Sequence, residues 1–182
     1  MPRVAPITGK SDLAAEHHAV VEKVEKVFGG VRGPFSMLLH SPKLAERVLG
    51  LVTFFRDESV VAPRLRSVAI LAAVRERGAA YVWAAQVRAA RANGLGEDVI
   101  AVLRAKGDAG KLAAEERDIV TYVRQLMRAN RVDQATFDAL KGRHDTQWLV
   151  ELTAAANYFA LLSGIVNAFE VAAPADGDRL PA

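Results

Sequence analysis

The sequence from Ala62 to Gly94, APRLRSVAILAAVRERGAAYVWAAQVRAARANG, predicts two helices joined by a short turn at residues 77–79. Pro63 suits the first turn of a helix, and Gly94 suits the left-handed position that follows a helix end. Both halves carry apolar residues on nearly every side. Because a helix that is apolar all round is buried, we expect this hairpin to lie at the centre of the protein.

Four side chains in this hairpin carry polar atoms that need partners: Ser67, Gln86, Tyr81 and Trp83. Buried polar groups are normally hydrogen-bonded, so these residues are candidates for a functional site. Two structural alternatives remain. For Ser67 and Gln86, the alternative is that they hydrogen-bond each other across the hairpin. For Tyr81 and Trp83, it is that they are core anchors, because large aromatic residues contribute packing first.

The hairpin and the segment before it resemble the carboxymuconolactone decarboxylase and alkylhydroperoxidase D-like family. The segment is Phe28 to Leu44, FGGVRGPFSMLLHSPKL, and the resemblance covers roughly Phe28 to Phe169. It implies an all-α, multi-helix bundle of the alkylhydroperoxidase D-like type, built around the central helical hairpin. The hairpin residues that match the family frame are Arg66, Leu71, Ala72, Tyr81, Trp83, Ala90, Gly94 and Leu95.

The same resemblance indicates which catalytic groups this chain lacks. Peroxidase members use a Glu, two Cys in a C-x-x-C and a His four residues after the second Cys. These positions carry Ser67, Ala79, Val82 and Gln86 here, and the chain contains no Cys. We therefore expect no thiol peroxidase activity. Decarboxylase-like members commonly keep the acid and the imidazole, and this chain replaces both.

The length predicts one domain, and the composition argues against a nucleic-acid partner. Of the 182 residues, 51% are hydrophobic. The 24 basic and 21 acidic residues are interleaved along the sequence and give a net charge of +3. Without a basic block we expect no nucleic-acid partner. We predict an irregular leader over 1–10, a single all-α domain over 11–171 and a flexible tail over 172–182. The leader has no apolar run, which favours a cytoplasmic location.

Patterns outside the hairpin predict further helices and no strands. Ser11 is a candidate N-cap for a helix that ends before Gly29, and Ser41-Pro42 begins one that ends near Arg56. Another amphipathic helix is expected between Leu112 and Asn130. Adjacent His17 and His18 point about 100° apart on a helix and do not form a chelating pair, so we predict no metal site.

The last predicted helix runs from Thr146 to about Val171. Residues 152–169 contain no charge and are long enough to span a membrane. We favour a buried helix in the core or between subunits, because polar residues such as Asn157 interrupt the segment and no basic flank sets an orientation. The excess apolar surface and the resemblance together imply a homo-oligomer, a trimer or a hexamer.

Cofactor-free chemistry on a small lactone or aromatic-derived organic acid needs a cation for the carboxylate and a donor for the developing enolate. Arg66, or Arg64, is the candidate cation. His40 is the imidazole that the family frame retains, although a local capping contact is its alternative role. We predict a site without metal or cofactor, with catalytic Gln86, Ser67 and His40 and substrate-binding Arg66, Tyr81, Trp83 and Asn167.

Two functions follow from the sequence. The first is a carboxymuconolactone decarboxylase-like carboxy-lyase in aromatic compound catabolism. The second is a catalytically silent relative that binds a small molecule or has a structural, oligomeric role. A pocket containing a bound carboxylate beside Arg66 and Gln86 would favour the first function, and a hairpin filled by its own side chains would favour the second.

Overall fold

The computed structural model describes residues 2–181, and within them it contains helices and no strands. This confirms the predicted all-α bundle. Three short 3-10 turns cover Lys10–Asp12, Ala15–His17 and Ala109–Lys111. The α-helices are α1 (His18–Phe28), α2 (Pro34–Leu38), α3 (Pro42–Asp57), α4 (Pro63–Glu76), α5 (Ala80–Ala92), α6 (Glu97–Arg104), α7 (Ala114–Ala129), α8 (Gln134–Lys141) and α9 (Thr146–Ala168).

The predicted hairpin is α4 and α5, and it lies at the centre of the bundle. Helix α4 packs against α5, α7 and α9, and it is buried continuously from Arg66 to Val74. Gly78 in the turn and Gly94 after α5 have φ angles of +61° and +78°, the left-handed region that glycine adopts without strain. These two glycines therefore fix the ends of the hairpin helices as the sequence indicated.

Helix α9 is the one helix within residues 2–181 whose length and composition would suit a membrane span. Of its most apolar stretch, 56% is buried against the rest of the fold, where α9 packs on α4, α2 and α5. This arrangement supports the core-helix interpretation. Part of the helix stays outside the core, and Val150 and Leu161 are 60% and 48% exposed.

The N-terminal residues depart from prediction at one point, the start of the first helix. Helix α1 begins at His18, not after Ser11, and Ser11 does not cap it. The nearby Asp12 carboxylate instead accepts the N–H and the hydroxyl of Thr8, at 2.7 and 2.8 Å, which stabilises a turn. Buried Ile7 attaches the residues before this turn to the bundle.

The C-terminal residues, expected to form a solvated tail, lie against α5. The Asp178 carboxylate pairs with Arg91 and with Arg104, both at 2.5 Å. Leu180 packs against the core, and Gly177 approaches Ala84 of α5. Met1 and Ala182, the ends of the predicted leader and tail, lie outside the described residues.

Candidate functional site

A cavity of about 400 Å³ lies beside α5. This volume is within the usual range for sites that bind small molecules. Its walls come from the segment around α2, from α3, α5 and α9, and from the C-terminal residues. The lining residues are Phe28, Arg32, Pro34, Phe35, Val52, Tyr81, Val82, Ala84, Ala85, Gln86, Arg88, Phe159, Leu162, Pro174, Asp176 and Gly177.

One face of α5 supplies much of this lining, because residues three and four positions apart lie on the same side of a helix. Val82 and Gln86 share this face with Ala85. Ala79, which precedes Val82 by three residues, is fully buried at the N-cap of α5 and is not a lining residue.

The Tyr81 ring lines the cavity near the start of α2. Gly33 lies against it, and a Cβ atom at Gly33 would be only 2.2 Å from Tyr81 Cε1. Gly33 also has a φ of +59°, so both the close approach and the backbone require glycine. Burial raises the pKa of the Tyr81 phenol, with Arg32 opposing the shift. The phenol therefore stays protonated at neutral pH and is a hydrogen-bond donor.

Gln86 is the other neutral polar group of the lining. It is half-buried, and its amide has no hydrogen-bond partner among residues 2–181. The Tyr81 hydroxyl likewise has no partner in this part of the chain. A half-buried polar group without a protein partner is suited to bonding water or a ligand.

Charged side chains lie at the cavity edge. Arg32 and Arg88 are exposed lining residues, and Asp176 is an exposed acid among them. Arg32 Nη2 donates to the carbonyl of Phe28 at 2.8 Å, which holds the guanidinium near the end of α1. Two cations and one carboxylate give the edge a net positive charge, which favours an anionic group on a bound molecule.

Ser67 lies away from this cavity. Its hydroxyl donates to the carbonyl of Pro63 at 2.9 Å and accepts from Asn93 Nδ2 at 3.0 Å. The interpretation that Ser67 and Gln86 bond each other is therefore wrong. Helices α4 and α5 run antiparallel, so the start of α4 is level with the end of α5 at Asn93, while Gln86 is level with the middle of α4.

The two candidate cations also bind protein groups outside the cavity. Arg66 is 6% exposed, and its Nη1 donates to the carbonyl of Val61 at 2.8 Å. Burial lowers the pKa of Arg66, and the charges of Glu151 and Asp57 oppose this shift. Arg64 pairs with the buried carboxylate of Glu116. Neither arginine is a lining residue, so neither meets a ligand carboxylate there.

The remaining predicted site residues make structural contacts. Trp83 is fully buried on the side of α5 opposite the cavity, in the core-anchor position. His40 is exposed, and its Nε2 lies 2.9 Å from the carbonyl of Ala5, a local contact that holds the leader. Asn167 Nδ2 donates to the carbonyl of Arg77 at 2.9 Å and so stabilises the hairpin turn.

No family model matches this sequence, and no curated protein matches it significantly. Solved structures do resemble it. A Cys-to-Ala variant of the debrominase Bmp8 in complex with 2,3,4-tribromopyrrole is 17% identical, with a TM-score of 0.76 over 96% of this chain and 94% of that one.

Two further structures resemble the chain. A peroxidase-related AhpD core protein from Ralstonia eutropha JMP134 is 16% identical, with a TM-score of 0.71 over 95% of each chain. A protein of unknown function from Agrobacterium tumefaciens, described as a candidate antioxidant defence protein AhpD, is 17% identical, with a TM-score of 0.67 over 76% of this chain and 96% of that one. This chain has the AhpD-like fold.

The four positions that the family resemblance matched to peroxidase working residues do not all line the cavity of this chain. Val82 and Gln86 line the cavity, whereas Ser67 and Ala79 do not. The Ser67 hydroxyl is held by Pro63 and Asn93, as described above. At most two of these four positions are therefore available to a molecule bound in the cavity.

Several residues of the cavity lining were not identified from the sequence. Phe28, Arg32 and Phe35 belong to the segment that carried the family resemblance, and the Phe28 and Phe35 ring centroids are 5.1 Å apart. That segment was a signal for the site. Phe159 and the C-terminal residues gave none, because their approach to α5 depends on tertiary packing. Within residues 2–181, groups of three or more His, Asp or Glu side chains suited to a metal ion do not occur.

Proposed function

We propose that the cavity beside α5 binds a small organic acid or lactone with an apolar, aromatic body. The observation that carries this proposal is the pairing of an apolar cavity of about 400 Å³ with two neutral groups, Tyr81 and Gln86, that have no protein partners within residues 2–181. Sites for small molecules combine these features: apolar walls for affinity and a few polar groups for orientation.

The edge of the cavity supports an acidic ligand. An apolar body would lie against Phe35, Val82 and Leu162, all of which are buried residues of the lining. Its carboxylate would then face Arg32 and Arg88 at the exposed edge. Arginine binds carboxylates well because its planar guanidinium donates two parallel hydrogen bonds.

A second candidate function is cofactor-free decarboxylation of such an acid. In this step the bond between the carbon and the carboxylate breaks, CO2 leaves, and the electron pair forms an enolate that later takes a proton from water. Neutral donors at Tyr81 and Gln86 favour this candidate, because donors aimed at a developing enolate oxygen stabilise it. No thiol takes part, since the chain has no Cys.

Isothermal titration calorimetry tests the binding proposal. Naphthalene-2-carboxylate serves as the probe, and the uncharged naphthalene-2-carboxamide is its matched control. We expect the carboxylate to bind wild type more tightly than the amide, and R88M to remove that preference. Equal affinity of the two compounds, or binding that survives a filled cavity in V82W, would contradict the proposal.

An assay of CO2 release separates the two functions. With 4-carboxymuconolactone, the lyase proposal predicts CO2 release that falls about 100-fold or more in Q86L, the typical loss when one such donor is removed. A binding protein without catalysis would show no release above the rate without protein while still binding naphthalene-2-carboxylate.

The exposed apolar residues of α3 and α9 support our proposal of a homo-oligomer. Leu51 and Leu161 are each 48% exposed, and Val150 is 60% exposed. Where exposed apolar residues form one contiguous patch, the patch often marks a contact between subunits. A trimer or a hexamer is the assembly that the family resemblance implies, and light scattering after size exclusion tests it. A monomer at micromolar concentration would contradict this proposal.

The cytoplasmic location and the absence of nucleic-acid and membrane partners stay predictions.

A further inference from the structure

The C-terminal residues 174–180, here named the strap, form one wall of the cavity. Pro174, Asp176 and Gly177 are lining residues although they follow the last helix by several positions. A hydrogen bond of 3.1 Å from the Gly177 N–H to the Pro174 carbonyl makes the strap turn at this point. The cavity is therefore bounded on one side by a short irregular segment and elsewhere by packed helices.

The strap lies directly on α5. A Cβ atom at Gly177 would be 2.7 Å from the Cβ of Ala84, a distance that real Cβ atoms do not show. Any side chain at position 177 would therefore move the strap away from α5. Ala84 is itself a lining residue, so this movement would open the cavity wall.

The Asp178 carboxylate joins the far side of the strap to two helices. Asp178 Oδ2 accepts from Arg91 Nη1 and Asp178 Oδ1 accepts from Arg104 Nη2, each at 2.5 Å. These contacts join the strap to α5 and α6 at once. Arg91 also pairs with Glu97 at 2.5 Å, which orients its guanidinium toward the strap. Hydrogen bonding from Arg91 lowers the pKa of Asp178, with burial opposing the shift.

We infer that the strap controls access to the cavity and that Asp178 is the positioning residue that holds it closed. Asp178 is not itself a lining residue, so it acts on the cavity through Gly177 and Asp176. A small molecule reaches the buried lining when the contacts of Asp178 with Arg91 and Arg104 break and the strap leaves Ala84. This inference concerns the same cavity as the proposed function, but it does not depend on the identity of a ligand.

The lack of cysteine makes access directly measurable, because one introduced thiol is then the only one in the chain. V82C places this thiol in the cavity wall, at a position that is 3% exposed. The uncharged reagent N-ethylmaleimide reports how fast the thiol becomes accessible in the full-length protein. A second variant, A69C, places a thiol in α4 at a fully buried position outside the cavity, where modification reports general opening of the fold.

We expect D178N to raise the modification rate of V82C about tenfold or more, because two charge-assisted hydrogen bonds are weakened, and to leave A69C unchanged. D98N is the matched control. It removes the same charge from exposed Asp98 on α6, which is not a lining residue and forms no ion pair within residues 2–181, so the rate should stay within about twofold. G177V should reproduce the D178N effect by a steric route.

Two results would overturn the inference. An unchanged V82C rate in both D178N and G177V would show that the strap does not limit access. An equal increase at V82C and A69C would show that the substitution loosens the whole fold. Failure of naphthalene-2-carboxylate to bind would contradict the proposed function and leave the thiol result standing, so the two proposals fail separately.

Discussion

The hairpin has two polar regions, and they differ in where their polar atoms find partners. At the start of α4, Arg66 and Ser67 bond the backbone and Asn93. On the cavity face of α5, Tyr81 and Gln86 have no hydrogen-bond partners within residues 2–181. The first region is thus engaged in holding the fold together, whereas the second is available to a ligand. Residue type alone did not distinguish the regions, and their surroundings do.

The largest expected effect lies in the first region, at R66M. This change leaves the Val61 carbonyl without its donor and removes the positive charge that faces Glu151. Because Arg66 is buried, we expect a loss of about 3 kcal/mol in the free energy of unfolding, the upper end of what a hydrogen bond to a charged group contributes. Urea denaturation measures it.

The control for this prediction is R131M, since Arg131 is exposed and should change stability by less than about 0.5 kcal/mol. If R66M weakened the binding of naphthalene-2-carboxylate without lowering stability, Arg66 would belong to the binding site. The start of α4 would then not be a purely structural region.

A pH dependence is expected at Glu151, which is buried near Arg66. Burial opposes its ionisation, but hydrogen bonds from Gln147, Ser59 and the Val60 N–H hold the pKa below the ordinary 4.5. A carboxyl group whose pKa is lower in the folded state adds stability above the unfolded-state pKa, and this is lost as the pH falls through the folded-state value.

The free energy of unfolding of E151Q should therefore be about 2 kcal/mol below that of wild type near neutral pH. This gap should stay the same down to about pH 5.5 and become smaller below about pH 4.5. Urea denaturation across this range measures the gap. A gap that widened on acidification would mean that the folded-state pKa is raised.

Much of the fold was predictable because local signals agreed with it. Pro63, Gly78 and Gly94 marked the hairpin, and Ser41-Pro42 marked the start of α3. The site was less predictable. A helix that is apolar all round has no periodicity to show which side faces a cavity, so Trp83 and Tyr81 looked alike. The strap was also unpredictable, because Asp178 pairs with Arg91 and Arg104, which precede it in the sequence by 87 and 74 positions.

In the second region, Q86L should weaken the binding of naphthalene-2-carboxylate about tenfold, corresponding to about 1.4 kcal/mol, while stability stays within about 0.5 kcal/mol of wild type. The reason is that the Gln86 amide bonds no protein group within residues 2–181 and so contributes to a ligand alone. Calorimetry and urea denaturation measure the two quantities. A large loss of stability would place Gln86 with the structural residues.

The smallest expected effect is that of S67A. It removes one hydroxyl that bonds Pro63 and Asn93, and exposed Asn93 can bond water instead. We expect a loss of about 0.5 to 1 kcal/mol in the free energy of unfolding and no change in affinity for naphthalene-2-carboxylate. An affinity loss like that of Q86L would show that both regions belong to one site.

The most direct test follows two side-chain amides in one two-dimensional ¹⁵N–¹H NMR spectrum during titration with naphthalene-2-carboxylate. Q86L and N93A identify the two signals. If the cavity beside α5 is the binding site, the Gln86 amide shifts with ligand concentration and saturates, while the Asn93 amide, already bonded to Ser67 at 3.0 Å, stays in place. A saturating shift of Asn93 with Gln86 unmoved would contradict this account and place the site at the start of α4.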